Sequence, residues 1–173
     1  MITPIIIIIL LVSPLAIAYF IGLVKGTLVA VRKYALWGLG ATFLFFSIGH
    51  FVKTDEMIQM LPTWVPFRLA VVYVTGVIEL FISIALFTPR FQNNATMIAI
   101  CVFVLFFPAN VYSAMNANDF GGYQWGPIYL LVRTPLQLFL VAWAYFLCLD
   151  SNKWPRLTSK LNTKLRKNNP VSL

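Results

Sequence analysis

Five long apolar runs, joined by connections too short to form a domain, commit this chain to crossing a membrane repeatedly. The runs cover residues 1–24, 35–52, 67–87, 95–114 and 126–149. A helix needs about 17–25 apolar residues to cross the hydrocarbon core. Lipid offers the backbone no hydrogen bonds, so runs of that length become helices. Composition agrees: 60% of the 173 residues are hydrophobic and 10% are charged, against about 25% charged in a soluble domain. The expected fold is an all-α membrane protein: a four-helix transmembrane bundle over residues 35–149, with an additional N-terminal transmembrane helix over 1–24 and a basic cytoplasmic tail over 150–173.

The first run also reads as a signal peptide, because Ala16-Ile17-Ala18 resembles a small-residue cleavage site. Its start, Met1-Ile2-Thr3-Pro4, lacks a basic n-region, and the basic residues follow at Lys25, Arg32 and Lys33. That order favours a retained helix. The connection over 53–66 holds Asp55, Glu56 and the stiff Leu61-Pro62-Thr63-Trp64-Val65-Pro66, whose prolines disfavour helix in the residues before them. No internal repeat or low-complexity linker is present.

Placement of charge fixes the orientation. With five spans, Lys25, Arg32, Lys33, Arg90 and the six basic residues of the tail fall on one side, Lys53 and Arg68 on the other, and Arg133 within a span. Basic residues collect on the cytoplasmic side, so the N-terminus is expected outside and the C-terminus inside. Trp37 and Trp154 then lie at the inner interface, Trp64 and Trp125 at the outer one, which is an aromatic-belt pattern. The net charge of +8 is thus a topology signal, and the expected partner is the bilayer, not nucleic acid. Lys153, Arg156, Lys160, Lys164, Arg166 and Lys167 fit one side of a short helix on anionic lipid headgroups; a solvated tail that only fixes topology is the other reading.

Several groups in these runs do not belong in lipid. Residues 35–52 end in Ser47-Ile48-Gly49-His50-Phe51, with the only histidine of the chain; later runs carry Glu79, Asn110, Arg133 and Gln137. A charged residue at the centre of a membrane helix costs about 2.5–3.5 kcal/mol, so such groups turn inward and find partners. From the rise of about 1.5 Å per residue, His50 and Asn110 lie near the outer ends of their spans, Arg133 about two turns deep, and Glu79 and Gln137 about three. All five are expected to converge on one polar site in the outer half of the bilayer, with His50 outermost and Glu79 paired with Arg133. Tyr129, Arg133 and Gln137 recur every four residues and share a helix face. Tyr73 and Gly76 lie within two turns of Glu79, and Gly76 permits close approach of a helix or ligand. Pro108 frees the carbonyl of Val104, which can join the polar layer. A purely structural network of interhelical hydrogen bonds is the competing reading.

Some chemistry is disfavoured. Cys101 and Cys148 lie alone in separate runs, without the Cys-x-x-Cys spacing of thiol-disulfide exchange, and read as packing residues. One histidine cannot ligate haem from both faces, and no metal site is expected. Phosphate-loop and dinucleotide fingerprints are absent, and no serine is placed for a hydrolase triad.

Gly49-His50-Phe51, Pro62-Thr63-Trp64-Val65-Pro66, Val72-Tyr73-Val74-Thr75-Gly76-Val77-Ile78-Glu79, Phe107-Pro108-Ala109-Asn110 and Arg133-Thr134-Pro135-Leu136-Gln137 follow one another in order. Together they resemble the DoxX-like integral membrane proteins over residues 35–149. The resemblance implies a four-helix bundle in the cytoplasmic membrane of a bacterium, with signature residues at His50, Gly76, Glu79, Asn110, Arg133 and Gln137. It also implies a link to membrane oxidoreductase systems: some relatives are subunits of a thiosulfate:quinone oxidoreductase, others accompany thiol- or superoxide-detoxifying proteins, and distant animal relatives assist receptor assembly.

The leading expectation is a membrane component of a redox system that binds a quinone or similar lipid-soluble molecule and works with membrane or peripheral redox partners. His50 and Glu79 would exchange and relay protons, imidazole being the side chain that ordinarily titrates near neutrality. Tyr73, Gly76, Asn110, Tyr129, Arg133 and Gln137 would bind the ligand. Two alternatives stay open: an assembly factor whose polar layer is structural, and an acid-base enzyme acting on an isoprenoid-like lipid.

Overall fold

The computed structural model describes residues 2–115, 128 and 130–149, and their regular structure is entirely helical. The elements are α1 (Ile2–Lys25), α2 (Val31–Val52), α3 (Thr54–Gln59), α4 (Arg68–Phe87), α5 (Gln92–Met115) and α6 (Leu130–Trp143), which continues as a π-helical segment, Ala144–Leu149. Five of these helices, counting α6 with its π-helical end, are long and apolar enough to cross a membrane. The chain is an all-α, multi-pass membrane protein.

Helix ends depart from the hydropathy pattern in understandable ways. The second span starts at Val31 and the fourth at Gln92, each taking in polar residues that hydropathy assigns to the connection. Those residues work: Arg32 Nε donates to the Cys148 carbonyl at 2.9 Å, and its Nη2 donates to Asn93 Oδ1. Arg32 therefore ties the start of α2 to the start of α5 and to a carbonyl of the π-helical end of α6. Within the connection over 53–66 the chain forms α3, which the two prolines do not reach. Asp55 and Glu56 occupy its first turn, where the helix dipole favours acids. Lys53 Nζ donates to Glu56 Oε1 at 2.8 Å, and that bond holds the Glu56 carboxyl below its ordinary range. Phe67, just before α4, adopts a left-handed φ of 51°, a conformation uncommon for a bulky residue.

The central helix is α2, packed against α1, α4 and the π-helical end of α6. Small residues set its spacing. A Cβ on Gly38 would lie 1.9 Å from the Leu11 carbonyl oxygen, and one on Gly40 would lie 3.0 Å from the Phe87 ring. Two reciprocal bonds fix the antiparallel register of α2 and α4: Ser47 Oγ donates to the Gly76 carbonyl and Ser83 Oγ to the Gly40 carbonyl, both at 2.9 Å. The core between them is apolar, centred on Leu36, Leu39, Phe43, Leu86, Phe103 and Leu140. Phe43 and Phe103 meet at 5.0 Å between ring centroids. Trp143 Nε1 donates to the Ala35 carbonyl at 3.2 Å, which secures α6. Cys148 lies in this core, whereas Cys101 is exposed on an outward helix face, so the packing role holds for Cys148 alone. Trp154 and Trp125, the tail over 150–173 and most of the loop before α6 lie outside the described residues.

Candidate functional site

At the end of the bundle that carries α3, the core gives way to a cavity of about 460 Å³. Each of four helices contributes polar side chains to its wall: His50 from α2, Glu79 from α4, Asn110 from α5, Arg133 and Gln137 from α6. All five polar groups expected to converge line this one space. The remaining wall is largely apolar, with Phe45, Phe46, Phe103 and Phe106 prominent.

Their pairing differs from expectation. Glu79 faces His50, not Arg133: His50 Nε2 lies 3.3 Å from Glu79 Oε2. Arg133 instead donates from Nη2 to Asn110 Oδ1 at 3.2 Å. Side-chain direction explains the choice. A Cα–Cβ bond tilts toward the N-terminus of its own helix. Because α2 and α4 run antiparallel, His50 leans away from the α3 end and Glu79 leans toward it. On the register set by Ser47 and Ser83, their backbones lie about six residues apart, or ~9 Å of rise, and the two side chains close that gap. Depth counted along the backbone therefore placed them too far apart.

The cavity also extends past His50. The His50 side chain is 13% exposed, it packs on Gly76, where an added Cβ would come within 2.7 Å of the His50 Cβ, and the lining continues beyond it to Lys53, Met57, Met60 and Leu61. Gly76 is thus a seat for α2. Nδ1 lies 3.3 Å from Thr75 Oγ1. That hydroxyl also lies 2.9 Å from the Val71 and Val72 carbonyls; with its single proton directed to them, it accepts from an Nδ1–H. This arrangement assigns one imidazole proton to Nδ1 and turns Nε2 toward the carboxyl. Any further proton that the pair takes up is shared between Nε2 and the Glu79 carboxylate.

Glu79 is 4% exposed, and its Oε2 has no hydrogen-bond partner; the 3.3 Å approach of His50 has ion-pair distance without hydrogen-bond alignment. On the α6 wall Gln137 Nε2 donates to the Phe103 carbonyl at 2.6 Å. Expectation had pointed to the Val104 carbonyl, freed by Pro108; the carbonyl actually engaged is its neighbour, because Val104 lies on an exposed face of α5.

Tyr73 does not line the cavity. It is 41% exposed and stacks on Phe51, with centroids 5.8 Å apart and planes 24° apart. Tyr129 lies outside the described residues. Conversely, Thr75 and the cluster of Lys53, Met57, Met60 and Leu61 belong to the site without having been singled out for it. So do Thr3 and Ile7 of α1, the helix that reads as an addition to the bundle. The sequence signal for α1 was Thr3, a polar residue within the first apolar run.

Residues 39–148 match the model of a family described as a domain of unknown function, DUF8561. The chain belongs to this family. The matched segment begins within α2 and ends within the π-helical end of α6, so it contains all five convergent polar residues and excludes α1. No curated protein and no solved structure matches the chain significantly.

Proposed function

We propose that this protein is a membrane component of a redox system, and that its cavity binds a quinone or similar lipid-soluble carbonyl compound. The observation that carries the reading is the buried Glu79 carboxyl, whose Oε2 lacks a hydrogen bond, set beside His50 in a polar-lined cavity. Buried polar groups are ordinarily satisfied, and exceptions mark sites where a ligand completes the set. The volume lies within the roughly 300–1,000 Å³ of small-molecule sites, and apolar walls with a few convergent polar groups are their usual make-up. Phenylalanines suit a flat ring. Arg133 and Asn110, joined in the same lining, suit a ring oxygen.

Structural glue is supplied elsewhere. Ser47 and Ser83 already join α2 to α4 by hydrogen bonds, so the His50–Glu79 pair is not needed to hold those helices. A strained or half-satisfied network is a poor way to stabilise a bundle.

A quinone bound here would supply two-electron, two-proton chemistry. The chain positions its ring between the Glu79 and Arg133 walls, excludes bulk water with phenylalanines, and exchanges a proton between His50 Nε2, Glu79 and a ring oxygen. Electrons come from an associated redox protein. The motif likeness to DoxX-like proteins supports this reading, as it supports a bacterial cytoplasmic membrane. Charge placement supports an outside N-terminus, with the α3 end and the cavity toward the outer face. The test is extraction: protein purified in mild detergent retains quinone, and His50→Ala and Glu79→Gln each reduce the amount retained. Undiminished retention in both variants, or no quinone in the wild type even after supplementation, refutes the reading.

A further inference from the structure

We propose that the ligand of this cavity carries a hydroxyl that donates to Glu79, so that the site prefers a hydroquinone or another lipid-soluble phenol to the oxidised quinone. This deepens the reading above and rests on it. The argument is a donor count. A carboxylate is acceptor-only, with room for about four hydrogen bonds. The Glu79 Oε2 is fully enclosed and receives no aligned hydrogen bond among the described residues, His50 Nε2 approaching it at 3.3 Å.

The hydrogen bonds given for the neighbouring donors run to other acceptors. The Thr75 hydroxyl goes to the Val71 and Val72 carbonyls, and the Ser47 hydroxyl goes to Gly76. His50 Nδ1 faces Thr75, and Nε2 is near Oε2 but poorly aligned. Gln137 is committed to Phe103, and Arg133 donates to Asn110. Val72, Val102 and Phe103, which share the wall, have no side-chain donor.

A quinone carbonyl is itself an acceptor, so Glu79 holds it only when the carboxyl is protonated and donates to it. A phenolic hydroxyl completes the carboxylate oxygen, with a short charge-assisted bond. His50 takes part by charge: with the shared proton on Nε2, Glu79 is ionised and the pair is neutral overall, so accepting the hydroxyl requires no further proton. The ring oxygen at the far end meets Arg133 and Asn110, which tolerate a hydroxyl or a carbonyl alike. Selectivity between the two redox forms therefore resides at Glu79.

The experiment uses the full chain in lipid nanodiscs and three probes of equal chain length: a 4-alkylphenol, its methyl ether and the parent alkylbenzene. The phenol is expected to bind about tenfold or more tighter than the other two, the worth of one hydrogen bond to a charged acceptor. Glu79→Leu should erase that ratio by weakening the phenol alone. Should Glu79→Leu fold poorly, Glu79→Gln should at least narrow the ratio, and the wild-type comparison needs no variant. Equal affinity for all three probes, with a short-chain quinone still bound, overturns the hydroxyl proposal and leaves the quinone site standing; water would then be the group that satisfies Glu79. Failure of every probe and of the quinone overturns both.

Discussion

The two ends of this bundle are built from the same helices and obey opposite rules. Away from α3 the structure is dry and closed. Gly38 admits the Leu11 backbone, Phe43 and Phe103 fill the centre, and Arg32 and Trp143 each donate to a backbone carbonyl. Toward α3, only two turns further along α2, the packing opens into a cavity and leaves one buried carboxyl oxygen, Glu79 Oε2, without a hydrogen bond. Stability is concentrated in the first region, and the second carries an unmet polar demand. Binding sites commonly retain such local conflicts while the rest of the fold supports them.

The sharpest way to break the closed end is Gly38→Ala. The added methyl would meet a backbone carbonyl, not a flexible side chain, at 1.9 Å, so α1 must move off α2. Overpacking of this kind costs about 3 kcal/mol, and a large fall in the thermal midpoint of detergent-purified protein is expected. An unchanged midpoint would mean that α1 does not seat on α2 at this point.

Arg32→Lys should cost less, about 1–2 kcal/mol, the range of a lost hydrogen bond from a charged donor. Lysine keeps the charge, and with it the topology signal, but a point ammonium cannot reproduce a fork that reaches Cys148 and Asn93 together. Thermal melts of the variant against wild type measure it. Equal melts would reduce Arg32 to its role in orientation. Smaller still are Ser47→Ala and Ser83→Ala, each removing one interhelical bond worth about 0.6 kcal/mol in a membrane protein. Ser83→Ala tests the closed end alone. Ser47→Ala also loosens the seat of His50, so it should weaken ligand binding as well; equal binding by the two variants would show that the cavity does not depend on this register.

Much of this contrast was legible beforehand, and unevenly so. Run length and charge placement gave five spans because lipid tolerates almost nothing else. Cost in lipid singled out His50, Glu79, Asn110, Arg133 and Gln137, and the structure gathers all five around one cavity. Partner choice was not legible. Pairing Glu79 with Arg133 followed from charge alone, whereas the pairing found follows from antiparallel side-chain lean, which requires the register that Ser47 and Ser83 set. Tyr73 shares the helix of Glu79 but faces outward, a fact that the rotation of α4 decides. Met57, Met60 and α3 were hidden because a proline-bounded connection reads as a linker, and Thr3 was hidden because α1 reads as an addition.

Glu79→Gln should have the smallest effect on stability and is the most decisive for the comparison. If the polar layer holds the bundle together, replacing one member of the His50–Glu79 pair leaves a buried imidazole without its counter-charge, and breaking a buried pair costs about 3–5 kcal/mol. If the closed end supplies the stability, the carboxyl contributes little, because its Oε2 already lacks a hydrogen bond. Glutamine of nearly equal volume also relieves the burial of a charge. The expected result is a thermal midpoint within about 1 °C of wild type, corresponding to less than ~0.5 kcal/mol by the usual scaling, together with loss of retained quinone. A steep fall in midpoint with binding preserved per folded molecule would reverse the assignment and make the polar end structural. The two readings thus predict a change in opposite members of the same pair of measurements, and a single conservative substitution separates a site from a strut.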